Sequence, residues 1–158
     1  MIFHLSIAAA QPKRVADVLA ELWNGEVFPF PPVANGSFAV LAGDERSSLI
    51  EIYPLGTELI PAEGDADATS RHNPQATGLS ATHAAVASSL STGEVMAIAE
   101  REGWLAKVCR RGGMFGVIEL WLENNSMIEV LTEDMAAEYR ATMTVEGWRA
   151  ALAAGAPA

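Results

Sequence analysis

Two histidines and two glutamates recur at matching positions in this chain. His4 is followed by Glu51 after 47 residues, and His83 is followed by Glu129 after 46. Imidazole nitrogens and carboxylate oxygens are ligands of intermediate hardness, which suit divalent Ni, Co, Zn, Mn or Fe. Two carboxylates also balance the charge of such an ion, and the open octahedral positions can take water or substrate. The pattern therefore predicts a catalytic divalent metal site with these four residues as ligands.

Each of the four residues also has an ordinary structural interpretation. A histidine on a strand is commonly a hydrogen-bonded core residue, and a glutamate in an apolar strand commonly faces water at a sheet edge. The two glutamates, however, occupy near-identical segments, Glu51 in LIEIY and Glu129 in MIEVL. Alternation along a strand places each carboxylate on the face opposite its aliphatic neighbours. Because all four residues keep the repeat spacing to within one residue, the metal-site interpretation is favoured; His72, which has no counterpart, is left out.

The repeat extends to the secondary structure around these residues. Each half of the chain is predicted to form a strand, an amphipathic helix and three further strands, a βαβββ unit. In the first half, apolar residues at helical spacing follow Pro12, and Asn24 is placed to end the helix. In the second half, Ser91 and Glu94 form a predicted capping box, and Gly103 ends the helix. The predicted fold class is therefore α+β, with two tandem βαβββ modules followed by a short C-terminal helix.

Length and composition indicate one domain made of two fused modules. The chain has 158 residues, half of them apolar, which is enough for one sizeable core. A single copy of about 79 residues is too small to cover its own sheet face. The predicted boundaries are module 1 at 1–54, a connector at 55–80, module 2 at 81–132, and a C-terminal helix and tail at 133–158. The connector is interpreted either as a plain linker or as a loop over a site.

Composition also excludes several classes of function. Ten Lys and Arg against twenty Asp and Glu give a net charge of -10, which disfavours nucleic acid and anionic membranes as partners. No apolar run is long enough for a membrane helix, and no glycine-rich nucleotide motif occurs. The single cysteine, Cys109, cannot form an internal disulfide. We therefore expect a cytoplasmic protein whose partner is a small-molecule substrate.

A βαβββ repeat with a histidine in each first strand and a glutamate in each last strand resembles the vicinal oxygen chelate superfamily. The order His4, Glu51, His83, Glu129 is similar to that of bacterial glyoxalase I. The resemblance covers residues 1 to about 132, and it implies a cupped mixed sheet around the metal and a homodimer. It also implies that Glu129 is a base that moves a proton. Glu51, its repeat counterpart, is the second candidate catalytic carboxylate.

The function that this resemblance implies is that of a glyoxalase-like lyase or isomerase dependent on a divalent metal. Such an enzyme acts on a small oxygen-chelating substrate through an enediolate-type intermediate. Two alternatives stay open. One is a non-catalytic small-molecule-binding or drug-sequestering protein, similar to the bleomycin-resistance members of the superfamily. The other is an Fe(II) extradiol-type dioxygenase, which the fourth ligand disfavours because it would occupy a position that oxygen or catechol needs.

Three further residues are candidates for substrate binding. In the strand from Val117 to Glu123 the even-numbered positions are aliphatic, so we expect Glu119 and Trp121 to face the inside of the cup. Arg111 precedes the glycine pair of a predicted hairpin turn. There it is interpreted either as a partner for an anionic substrate group or as a solvated turn residue.

Overall fold

The computed structural model describes residues 2–30 and 34–154. Its elements are, in chain order, β1 His4–Ala9, α1 Pro12–Trp23, β2 Glu26–Pro29, β3 Phe38–Leu41, β4 Leu49–Pro54, β5 Thr57–Ile60, β6 Thr69–His72, β7 Ala84–Ala87, α2 Thr92–Glu102, β8 Ala106–Arg111, β9 Phe115–Leu122, β10 Ser126–Leu131, α3 Glu133–Thr142 and α4 Val145–Ala153. The predicted α+β fold class is confirmed, and the chain adds a hairpin, β5–β6, between the modules and a second C-terminal helix. Residue 1 and the end of the predicted tail, 155–158, lie outside the described residues.

Each module forms its own four-stranded mixed sheet. The strand orders are β1-β4-β3-β2 and β7-β10-β9-β8, and the first strand of each module runs parallel to the last. The registers correspond as well, because Ser6 lies opposite Glu51 and Ala85 lies opposite Glu129. The two glutamates therefore hold equivalent places in two equivalent sheets.

The helices that follow the first strands end where the sequence predicts. Asn24 ends α1 in the left-handed conformation, with φ 52°, and Gly103 ends α2 with φ 72°. The predicted capping box is present at α2: the Ser91 hydroxyl accepts a hydrogen bond from the Glu94 backbone, and the Glu94 carboxylate accepts one from the Ser91 backbone. Local sequence thus sets the length of both helices.

One hydrophobic core joins the two modules. The residues that the last strands direct towards the helices are Ile50, Ile52, Ile128 and Val130. Leu22 of α1 is fully buried among them, and its backbone carbonyl oxygen accepts a hydrogen bond from the Ser88 hydroxyl of the second module. Nearer the surface, Arg14 of α1 pairs with Glu102 of α2 at 2.7 Å. The modules are therefore packed as one unit.

The faces of the two sheets that point away from α1 and α2, the inner faces, are covered differently. In the second module α3 lies on this face, where Ala136 packs with Phe115, Val117 and Leu131. The Glu138 carboxylate of α3 also accepts a hydrogen bond from a backbone amide of β9 at 2.8 Å. In the first module the same face borders a cavity beneath the connector. No helix of the described chain is long and apolar enough to cross a membrane.

Candidate functional site

Glu51 lies in the middle of β4 and is only 9% exposed. The Ser6 hydroxyl donates a hydrogen bond to its Oε2 at 2.7 Å, and the Tyr53 hydroxyl donates to the same oxygen at 2.9 Å. Ser6 is the cross-strand partner of Glu51, and Tyr53 lies two residues further along the strand, on the same face. No Lys, Arg or His of the described residues lies within ion-pair distance of Glu51. The carboxylate is therefore held by two neutral donors.

Glu129, the equivalent carboxylate of the second module, is paired with Arg111. Arg111 Nε donates to Glu129 Oε1 at 2.8 Å, and Nη2 donates to the same oxygen. Arg111 Nη1 lies 2.9 Å from Glu119 Oε1. The hydrogen bonds to Glu129 and Glu119 raise the pKa of Arg111 above its ordinary value, against the opposing effect of burial. One guanidinium thus compensates two carboxylates on the inner face of this sheet.

The two predicted histidine ligands lie together at a different place. His4 is exposed at the first residue of β1, and His83 is exposed immediately before β7. The Nδ1 atom of His83 lies 3.0 Å from a backbone carbonyl oxygen two residues earlier. Both imidazoles line a cavity of about 400 Å³ that also contains Trp23 and Tyr139. The structure therefore brings the histidines to one cavity and leaves the glutamates in two separate hydrogen-bonded clusters.

These positions do not fit a metal ion within one chain. Across residues 2–30 and 34–154, no three His, Cys, Asp or Glu side chains are grouped so that they could hold an ion together. The Arg111 guanidinium forms an ion pair with Glu129, and its positive charge repels a divalent cation. Glu51 accepts two hydrogen bonds from its own module. The four-ligand site is thus not assembled in the described part of the chain and stays a prediction for direct metal measurement.

A cavity of about 530 Å³ opens beside the two donors of Glu51. Ser6 and Tyr53 line it, and β5 and connector residues 76–80 form other walls. Its remaining polar lining residues are Thr57, Glu58, Thr77, Ser80, Thr82 and Ser126. None of its described lining residues is Lys, Arg or His. The volume and the mixed apolar and hydroxyl lining suit a small molecule.

The predicted substrate-binding residues lie on the second sheet. β9 directs Ile118, Leu120 and Leu122 into the helix-packed core, so Glu119 and Trp121 alternate onto the inner face, as expected. Neither residue lines the 530 Å³ cavity, and Arg111 does not line it either. Their role in substrate binding therefore stays a prediction.

Ser6 and Tyr53 are site residues that the sequence analysis missed. The alternation of strand residues was a signal for Tyr53, because a residue two positions after Glu51 must share its face. No comparable signal identifies Ser6, since its position opposite Glu51 depends on the register between β1 and β4.

The phenol of Tyr53 provides a direct test of this cluster. Burial and the hydrogen bond to Glu51 raise the pKa of Tyr53 from 10.0 to about 12. In a Tyr139→Phe variant Tyr53 is the single tyrosine, and we expect its ultraviolet absorbance to titrate near pH 12. Because the folded pKa exceeds the unfolded one, the stability contributed is complete below pH 10 and is lost as the pH rises towards 12. A midpoint near 10 in the folded variant, equal to that in urea, would contradict the buried hydrogen bond.

Comparisons with known proteins give a structural likeness and no likeness in sequence. No protein-family model and no curated protein sequence matches this chain significantly. FosX, a fosfomycin resistance protein of Listeria monocytogenes, aligns at TM-score 0.56 and 12% identity over 89% of this chain and 97% of its own. The same protein complexed with Mn(II) and sulfate gives 0.55 and 13% over 89% and 96%. FosX of Mesorhizobium loti gives 0.50 and 13% over 87% and 95%.

These alignments concern the fold, since all three identities are far below those that accompany a shared activity. They extend over both βαβββ modules and nearly the whole length of each FosX chain. The FosX proteins are members of the superfamily that the sequence resembles. With its two mixed sheets and matching registers, this chain has the fold of the vicinal oxygen chelate superfamily.

Proposed function

We propose that this chain is a small-molecule-binding protein of the vicinal oxygen chelate fold that takes its ligand without a metal ion. The observation that carries the proposal is that both repeat carboxylates accept hydrogen bonds from the chain's own side chains, and that Glu129 is also paired with a cation. Glu51 accepts hydrogen bonds from Ser6 and Tyr53, and Glu129 accepts them from Arg111. A carboxylate that ligates a metal needs free lone pairs, and here one oxygen of each carboxylate already accepts two hydrogen bonds from the chain's own donors.

The 530 Å³ cavity is the proposed binding site. It lies against the inner face of the first sheet, at the place where the second module has α3 instead. Its walls combine aliphatic residues, such as Ile7 and Leu55, with hydroxyl groups that can orient a ligand. This arrangement favours the interpretation of the connector as a loop over a site.

Metal measurement tests the proposal. Protein purified without an affinity tag is expected to contain less than about 0.1 divalent ion per chain and to show no site-specific uptake when titrated calorimetrically with Mn(II), Ni(II) or Zn(II). His72→Ala serves as the control for adventitious binding by an exposed histidine outside the predicted ligand set. Uptake of one ion per chain that is lost in both His83→Ala and Glu129→Gln would overturn the proposal and restore the metal-dependent lyase.

A glyoxalase-like metal enzyme is the second candidate, and one observation favours it. His4 and His83 line the same cavity and are both exposed, so both imidazoles border one space. That function requires carboxylates to reach these imidazoles, either by rearrangement or from the second chain of the predicted homodimer. The dioxygenase alternative has the same requirement, because it needs a carboxylate beside the two histidines.

A further inference from the structure

The two repeat-related carboxylates are buried to the same degree but are compensated differently. Glu129 is 8% exposed and faces the positive charge of Arg111. Glu51 is 9% exposed, and the described residues give it only the neutral hydroxyls of Ser6 and Tyr53. Burial of a charge is costly unless an opposite charge accompanies it. Among the described residues, the first module therefore lacks the cation that the second module supplies in Arg111.

The two hydroxyls connect this uncompensated charge to the cavity. An ionised carboxylate can only accept hydrogen bonds, so Ser6 and Tyr53 must each direct their single hydroxyl proton at Glu51. Each hydroxyl oxygen then has only lone pairs left for another partner. Because both residues line the 530 Å³ cavity, the cavity presents hydrogen-bond acceptors at this point and no donor from either side chain.

We infer that the ligand of this cavity carries an ammonium group, which donates hydrogen bonds to Ser6 and Tyr53 and compensates the charge of Glu51. The inference rests on the proposed function, because it requires that a small molecule occupies the cavity. An anionic ligand finds no counter-charge there, since no described lining residue is Lys, Arg or His. The acid in the lining, Glu58, is already paired with Arg71 at 2.7 Å. Glu51 is therefore the carboxylate near the cavity that has no cationic partner among the described residues.

A matched set of three probes tests the inference on the full-length chain. Benzylamine, benzyl alcohol and benzoate share a ring and differ in the charge of the polar group. Binding is followed by backbone amide chemical shifts at residues 6–8 and 76–80, which line the cavity. Benzylamine is expected to bind at millimolar concentration, about 10-fold more tightly than benzyl alcohol, and benzoate is expected to leave these amides unshifted.

Three variants assign the preference to Glu51. Glu51→Gln keeps the shape and removes the charge. The preference of about 10-fold for benzylamine over benzyl alcohol should therefore disappear, so that the two probes bind equally. Glu100→Gln makes the same change in net charge at an exposed site on α2 and should retain the full preference. Tyr53→Phe keeps the charge and the ring but removes one acceptor, and it should weaken benzylamine about 3-fold even if Glu51→Gln fails to fold.

The outcomes separate the inference from the proposed function. Equal binding of benzylamine and benzyl alcohol in the cavity, tighter binding of benzoate, or a preference that survives in Glu51→Gln would each overturn the inference while the small-molecule site stands. If none of the three probes shifts the cavity amides, the proposed binding site fails and the inference fails with it.

Discussion

Replacing Arg111 by methionine is expected to lower the free energy of unfolding by about 2–3 kcal/mol at pH 7. Methionine fills the space of the arginine stem but leaves Glu129 and Glu119 without a counter-charge on the inner face of the second sheet. The loss is smaller than that for a fully buried pair because the Arg111 side chain is 35% exposed and water screens part of the effect. Urea denaturation followed by tryptophan fluorescence measures it.

Arg110→Met is the matched control for this variant. The neighbouring Arg110 pairs with Glu138 at the surface, where both side chains are exposed, so its loss should cost less than about 1 kcal/mol. Equal losses in the two arginine variants would show that the Glu129 ion pair has no special role in stability.

Leu22→Ala is expected to destabilise the protein by about 2–5 kcal/mol and to do so in a single unfolding transition. Leu22 is fully buried in the core that α1 shares with the strands of both modules. The cavity left by the substitution therefore weakens the packing of both modules at once. Differential scanning calorimetry measures the transition, and hydrogen exchange at Ile128 and Val130 reports whether the second module is affected.

The control for the core variant is Leu105→Ala. Leu105 is 65% exposed, so its truncation should change the stability by less than about 0.5 kcal/mol. Two resolved transitions in Leu22→Ala, with normal exchange protection of β10, would contradict a core shared between the modules.

The fold could be predicted from the sequence because its signals are local. The helical spacing of apolar residues, the left-handed cap at Asn24 and the capping box of Ser91 and Glu94 each act over a few residues, and all are present in the structure. The placement of Glu51 and Glu129 on the face opposite their aliphatic neighbours also follows from strand alternation. These features need no knowledge of which strand residue lies opposite which.

The arrangement of the site could not be predicted in this way, because it depends on register. His4 and Ser6 share a face of β1, since side chains alternate with a period of two. The sequence pattern therefore cannot distinguish them, and the pairing of β1 with β4 places Ser6 rather than His4 opposite Glu51. The ion pair between Arg111 and Glu129 likewise depends on the register of β8 against β9, which places the Arg111 side chain within reach of β10. The sequence spacing does not predict that register.

The helix α3 has a consequence for binding stoichiometry. A chain built from two equivalent modules could offer two equivalent receptor surfaces and, with them, cooperative binding. Here Ala136 and its neighbours close the inner face of the second sheet with the chain's own side chains, and the first sheet retains the cavity. Under the proposed function, a chain with one open sheet face is expected to bind one ligand along a hyperbolic isotherm, so the internal duplication is expected to provide the architecture without a second binding site.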